Sequence, residues 1–307
     1  MKIWIHLASF LACFLSYFSA QAQKQKPVNI PERLDNSLLW EIKGKGLKKN
    51  CYLYGTIHLI DAKEFFLTDQ AKQCFKKTKA LFTEIDMSNL LAMSTKMLSL
   101  APMKDSTLRQ LLGEEDYLLV KNYFEKECKS TEARTMPFTL YENWQPILLQ
   151  AFLYQDMIGG PTKSYEMEFI AMANEQNKSF GGLETVEDQM KALASMPYSL
   201  QAKGLLETIK SLKEDPKKAG ETFQKMVAAY KSQDIEGMVA MVKEDEQTGS
   251  GEEALLTNRN KNWIPIIIAQ CKKQPTFFAV GAAHLGGPNG VIRLLMAQGY
   301  TVTPVKP

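Results

Sequence analysis

Cys51-Tyr52-Leu53-Tyr54-Gly55-Thr56-Ile57-His58 near the front of the chain and Thr276-Phe277-Phe278-Ala279-Val280-Gly281-Ala282-Ala283-His284 near its end follow one plan. Each runs from a strand-like apolar stretch through a glycine and two further residues to a histidine, and a leucine follows, Leu59 or Leu285. The chain has three histidines. His6 lies in a segment expected to be removed, so both remaining histidines carry a glycine three positions upstream. Glycine fills about 7% of ordinary positions, which puts a chance match at about half a percent. Each histidine is expected just past a strand end.

Working outward, Leu38-Leu39-Trp40-Glu41-Ile42 predicts another strand, and Lys43-Gly44-Lys45-Gly46 supplies turn chemistry that joins it to the first histidine strand as a hairpin. Beyond His58, Thr68-Asp69-Gln70 opens an amphipathic helix reaching about Thr78, capped by Thr68 or Asp69. Ala80 to Met87 then predicts a buried strand that ends on acidic residues. A similar order recurs at the C-terminus: strand, Gly-x-x-His, a helix from about Asn289 to Gln298, a Gly299 stop and a strand from Tyr300 to Val305. The expected fold class is α/β, with α+β as its variant: a central mixed sheet built from two strand-GxxH-helix-strand units joined by parallel crossovers, with a large helical insertion.

The organisation expected from this is a signal peptide over 1–22, a flexible lead-in over 23–37 and a single domain over 38–307. That domain divides into a first GxxH unit (38–106), the helical insertion (107–257) and a second GxxH unit (258–307). Breaks in the insertion fall at Met136-Pro137, Gly159-Gly160-Pro161, Gly181-Gly182 and Asp215-Pro216. Its methionines, such as Met167, Met172, Met190 and Met196, are expected to fill core or pocket space. Glu246 to Glu252 is expected to be a mobile loop.

Lys2, an apolar stretch from Leu7 to Phe18, and Ala20-Gln21-Ala22 form a secretory signal with cleavage expected before Gln23, which places the mature protein in the periplasm or outside the cell. The apolar stretch is short for a membrane span, and no later segment holds 18 consecutive apolar residues, so no transmembrane segment is expected in the mature chain. The formal charge is +3, and loss of Lys2 leaves a near balance that singles out neither nucleic acid nor anionic membrane as a partner. Cys51, Cys74, Cys128 and Cys271 survive processing. An oxidising compartment allows them three pairings, among which spacing does not choose.

The carboxyl ends of strands in open α/β sheets face a crevice where reactive groups gather. Two units side by side bring His58 and His284 together there, and Glu84, near the end of the next strand, faces the same opening. Two neutral imidazoles and a carboxylate suit a divalent first-row metal, with positions left for water and substrate. The same residues also suit a metal-free site, with one histidine held by Glu84 as general base and the other stabilising an oxyanion. Spacing leaves both versions open. Asp86 and Asp61 are further candidates, better suited to solvated or loop-capping roles.

These residues, with Gly182-Leu183-Glu184-Thr185, Gln189, Arg259-Asn260 and the Gly299-Tyr300 stop, resemble the TraB/GumN family, which is related to the Tiki proteins and more remotely to erythromycin esterases and ChaN-like proteins. The match extends over nearly all of the mature chain, without the C-terminal membrane segments of some TraB-like members. The resemblance implies a sheet-based hydrolase-like fold with a helical insertion, and a metal-dependent protease with manganese or cobalt as the ion. It alone adds weight to Arg259, which suits either orienting a carbonyl or carboxylate or a helix-surface salt bridge, and to Glu184, which also suits the role of a structural strand-end acid. The expected activity is that of an exported metal-dependent hydrolase, a peptidase, with His58, Glu84 and His284 as ligands and a peptide or protein as substrate. Its rivals are a non-catalytic peptide-binding or regulatory protein and a metal-free esterase-like hydrolase.

Overall fold

The strands, in chain order, are β1 (Leu39–Lys43), β2 (Cys51–Thr56), β3 (Ile60–Asp61), β4 (Ala80–Ile85), β5 (Thr162–Lys163), β6 (Ser179–Glu184), β7 (Thr276–Gly281) and β8 (Thr301–Pro304). Six of them form one sheet in the order β6-β4-β7-β2-β1-β8, while β3 and β5 make a separate antiparallel pair. The computed structural model describes residues 30–244 and 251–306. The expected signal segment, the front of the lead-in and residues 246–250 of the expected loop lie outside the described residues. The fold begins at Glu32.

The α/β expectation is met. β6, β4, β7 and β2 run parallel, and β1 and β8 close the other edge with antiparallel pairings. The hairpin of β1 and β2 turns where Gly44 (φ 94°), Lys45 (φ 47°) and Gly46 (φ 75°) take left-handed backbone. The helix Asp69–Lys76 returns the chain to β4, with the Thr68 hydroxyl accepting from the Ala71 N–H. The helix Val291–Ala297 does the same between β7 and β8, and Gly299 at φ 81° stops it. Both crossovers skip strands. The two histidine strands, β2 and β7, lie directly against each other, with Gly55 opposite Val280 and Thr56 opposite Gly281.

β2 and most of β7 are buried, as parallel strands covered on both faces must be. On one face Tyr54, Phe75, Phe169 and Phe277 form an aromatic cluster with ring centroids 5.0 to 5.6 Å apart in the closest pairs. Each such ring contributes about 1.5–3 kcal/mol by leaving water. A second core lies among the helices of the middle, around Leu108, Phe124, Tyr141, Leu149 and Ile209.

Two local expectations need amending. Gly181-Gly182, read as a break between helices, lies inside β6 at the sheet edge. A Cβ on Gly181 would stand 2.4 Å from the Phe82 ring of β4. Glycine there admits the neighbouring ring, so it marks a close approach within a strand. Met167, expected to fill core space, is 47% exposed, whereas Met190 and Met196 are buried. Within the expected lead-in, Leu34 is already buried and its N–H reaches Glu236 Oε1 at 3.4 Å. An isolated leucine among polar residues gives periodicity nothing to register.

Candidate active site

Glu84, near the end of β4, and His284, in the short 3-10 turn Ala282–His284 after β7, meet at the carboxyl end of the parallel strands. His284 Nε2 stands 3.7 Å from Glu84 Oε1. Both motif glycines contribute through close approach. A Cβ on Gly55 would sit 2.9 Å from the Ala282 Cβ, and one on Gly281 would sit 3.2 Å from Glu84 Oε1. The bare backbone of Gly281 instead donates its N–H to that oxygen at 2.8 Å.

Arg259 fills the space between these groups. It projects from the helix Asn258–Lys273, which is preceded by a π-helical turn over Glu253–Thr257. Its Nη2 donates to Glu84 Oε2 at 2.6 Å and to Glu184 Oε1 at 2.5 Å, its Nε donates to both Glu184 oxygens, and its Nη1 bonds the Leu255 carbonyl at 2.9 Å. Gln189 Nε2 bridges the same two carboxylates, donating to Glu84 at 3.2 Å and Glu184 at 3.3 Å. Trp263 donates its indole N–H to Glu184 and packs its ring 4.4 Å from that of His284.

The tautomer of His284 follows from its partners. Asn260 Nδ2 donates to the Asn289 carbonyl, so Asn260 Oδ1 is the atom facing His284 Nδ1, at 2.6 Å. Nδ1 therefore carries the proton, and Nε2 offers a lone pair to Arg259 Nη1 at 3.1 Å. Burial, together with the Arg259 charge, lowers the His284 pKa to about 3. Burial works against ionised Glu84, yet the positive neighbours, Arg259 among them, and the Gly281 N–H hold its carboxyl well below the usual range. Glu184 is pushed up by burial and by the like charge of Glu84.

His58 is placed differently. It is exposed, with 75% of its side chain open to solvent, and Nδ1 faces Glu166 Oε1 at 3.3 Å. Glu166 also accepts from the Thr56 hydroxyl at 2.7 Å and from Ser164 at 3.0 Å. Its hydrogen bond and negative charge raise the His58 pKa. The charges of Glu84 and Arg259 reach His58 as well, so it borders the cluster without joining it. Asp61 and Asp86 cap loops, accepting from the Lys63 and Ser88 N–H groups at 2.9 Å each.

A cavity of about 770 Å³ opens beside the cluster, lined by Glu184, Arg259, Asp86, Thr185, Asp188 and Lys191 among others. Among the described residues, no three His, Cys, Asp or Glu side chains stand close enough together to hold one ion. The donor set nonetheless suits a cation. Glu84 and Glu184 present two carboxylates to one guanidinium beside an uncharged imidazole lone pair, and that guanidinium already stands in as the positive charge between Glu84 and His284. Sequence reasoning missed Glu166, which no motif marks, and it gave no role to Asn260 or Gln189.

Paired glycine-histidine strand ends on a mixed α/β sheet, with an arginine-carboxylate cluster against the second of them, define the class to which this fold belongs. The chain is a member of the TraB/PrgY/gumN family, whose profile matches residues 38–304. It is 22% identical over 321 residues to Metalloprotease TIKI1 of Danio rerio, covering 89% of this chain and 64% of that relative. It is 20% identical to Metalloprotease TIKI2 of the same species, with 93% and 64% covered, and 21% identical to Metalloprotease TIKI homolog of Nematostella vectensis, with 90% and 69% covered. The chain thus spans somewhat under two thirds of the length of the two Danio rerio relatives. No helix among the described residues is long and apolar enough to cross a membrane.

Proposed function

We propose that this protein is an exported, metal-dependent hydrolase of peptide bonds, acting where the parallel strands open onto the cavity beside Arg259 and Glu184. The observation that carries this reading is the excess of carboxylate over guanidinium at Glu84, Glu184 and Arg259, next to a neutral His284 whose Nε2 is aimed at the cationic position. The names of the relatives support the same reading. Glu84 and His284 would hold a divalent ion, Mn, Co or Zn, with His58 as the third ligand once it turns from Glu166. When bound, such an ion supplies Lewis acidity to water and to a substrate carbonyl.

The chain's own residues do the rest. Asn260 fixes His284 in the tautomer that turns the Nε2 lone pair toward the cationic position, where Arg259 Nη1 stands at 3.1 Å. Glu84 remains ionised through the neutral range, held by Arg259 and the Gly281 N–H. Arg259, anchored by Glu184 through Nε, keeps a guanidinium edge at the cavity to orient a substrate carbonyl or carboxylate. Until it turns, His58 is steadied by Glu166.

A second reading rests on that His58-Glu166 pair, which resembles a general base with its orienting carboxylate and works without metal. Elemental analysis and peptide hydrolysis by the purified protein separate the two. The first reading expects stoichiometric divalent metal, lost in His284→Ala, and hydrolysis abolished by a chelator. Chelator-resistant hydrolysis that disappears in Glu166→Ala establishes the second. Tight peptide binding with no turnover removes both. Export is checked by N-terminal sequencing of the mature protein, with Gln23 as the expected first residue.

A further inference from the structure

β6 is the terminal strand of the six-stranded sheet, so its outer side pairs with no other strand. The Ser179 N–H donates across to the Lys79 carbonyl at 3.1 Å, and the parallel pairing with β4 runs from Ala80 opposite Ser179 to Ile85 opposite Glu184. Alternate residues of an edge strand bond to the neighbour, so Phe180 and Gly182 turn their N–H and C=O groups outward. Among the described residues, no group outside the sheet hydrogen-bonds to the backbone of either. This open edge meets the cavity beside Arg259. β6 lines that cavity with Gly182, Leu183 and Glu184, and Gly182, having no side chain, presents backbone to it. The helix Asn258–Lys273 lines it with Asn258, Asn262 and Ile266, a row with four-residue spacing that covers roughly 12 Å of helix. That helix ends just before β7 begins, so the row descends beside the strands from their carboxyl ends, where Arg259 sits. The helix Val186–Leu193 adds a further wall with Asp188 and Lys191. The cavity is thus a trough that follows β6.

We propose that the substrate polypeptide binds as an added strand: an extended segment pairs its backbone with Phe180 and Gly182 at the open edge of β6 and continues into the trough, bringing a peptide bond to Arg259. This rests on the hydrolase reading and narrows it to substrates that offer an unfolded stretch. Recognition is then mainly through main-chain hydrogen bonds, as in other cases of strand addition to a sheet edge. A helical segment offers no such groups, because its own turns consume them.

A Cβ on Gly182 would stand 2.5 Å from the Asp86 nitrogen, so replacing that residue threatens the fold, and the test varies the peptide instead. The probe is a library of acetylated, amidated random nonapeptides incubated with the full chain, with and without Mn2+. The peptide cleaved fastest, or retained most strongly where none is cleaved, is remade with single N-methyl groups along its length, each deleting one N–H. Methylation at two positions flanking a third should weaken binding roughly tenfold, while the position between them changes it less than about twofold. On chelator-treated protein, the peptide should slow hydrogen exchange of the Phe180 and Gly182 amides about tenfold and leave those of Gly181 and Leu183, already bonded to β4, unchanged. Alternation and protection without hydrolysis support the added strand while removing the hydrolase reading. Hydrolysis with neither alternation nor protection overturns the added strand and leaves the hydrolase reading intact. A library from which nothing is cleaved or retained also overturns it, as does protection that appears without peptide and grows with protein concentration, which would assign the edge to a second copy of the chain.

Discussion

Arg259 serves two buried carboxylates with one guanidinium, and its side chain is only 11% exposed. Removing it strands both charges. Arg259→Met should therefore destabilise the protein by about 3–5 kcal/mol, the usual effect of breaking a buried ion pair. Added Mn2+ should raise the melting temperature of that variant by more than it raises the parent's, because the ion replaces the missing charge. Equal shifts in both proteins would contradict a cation position between Glu84 and His284. His284 gives a pH signature. Its pKa is about 3 in the folded protein against 6.5 for an ordinary histidine, so below pH 6.5 the unfolded chain binds a proton that the folded one refuses. Stability must then fall as pH falls from 6.5 toward 3, with a limiting slope of about 1.4 kcal/mol per pH unit. Urea titrations of chelator-treated protein between pH 6.5 and about 5, above most carboxylate titration, should resolve this slope and find it missing in His284→Gln.

At the scale of elements, the close approach of β2 to the turn after β7 is the joint on which the second histidine depends. Gly55→Ala places a methyl group 2.9 Å from the Ala282 Cβ, and overpacking of this kind costs about 1–3 kcal/mol. Gly55→Ala/Ala282→Gly should recover part of that loss, as read from denaturant midpoints; a double variant no better than the single one would place the strain elsewhere. The sequence revealed this pairing because a glycine-histidine spacing repeated after two apolar runs is a local signal. It revealed Glu84 for a related reason, as an acid near the end of a buried strand. Glu166 stayed hidden. It reaches Thr56 and His58 from a helix more than a hundred residues away, and nothing around Ser164-Tyr165-Glu166 announces a partner. β6 was hidden by its glycines, whose fit against Phe82 exists only once the sheet has formed.

Across the whole molecule, the helix Leu90–Leu100 stands out because none of its residues is buried, with Leu91 78% and Leu98 50% exposed. Leu91→Gln should leave the folding free energy within about 0.5 kcal/mol of the parent, and a larger loss would mean that the helix is covered in solution. The strand order has a broader consequence. β7 comes almost last in the chain, yet it lies between β4 and β2, so the ladder joining the two earlier strands is missing until the final stretch arrives. During synthesis His58, after β2, and Glu84, on β4, have no shared floor until the chain is nearly finished. The protein thus carries a built-in delay, and a polypeptide interrupted before its closing segment has no assembled pocket.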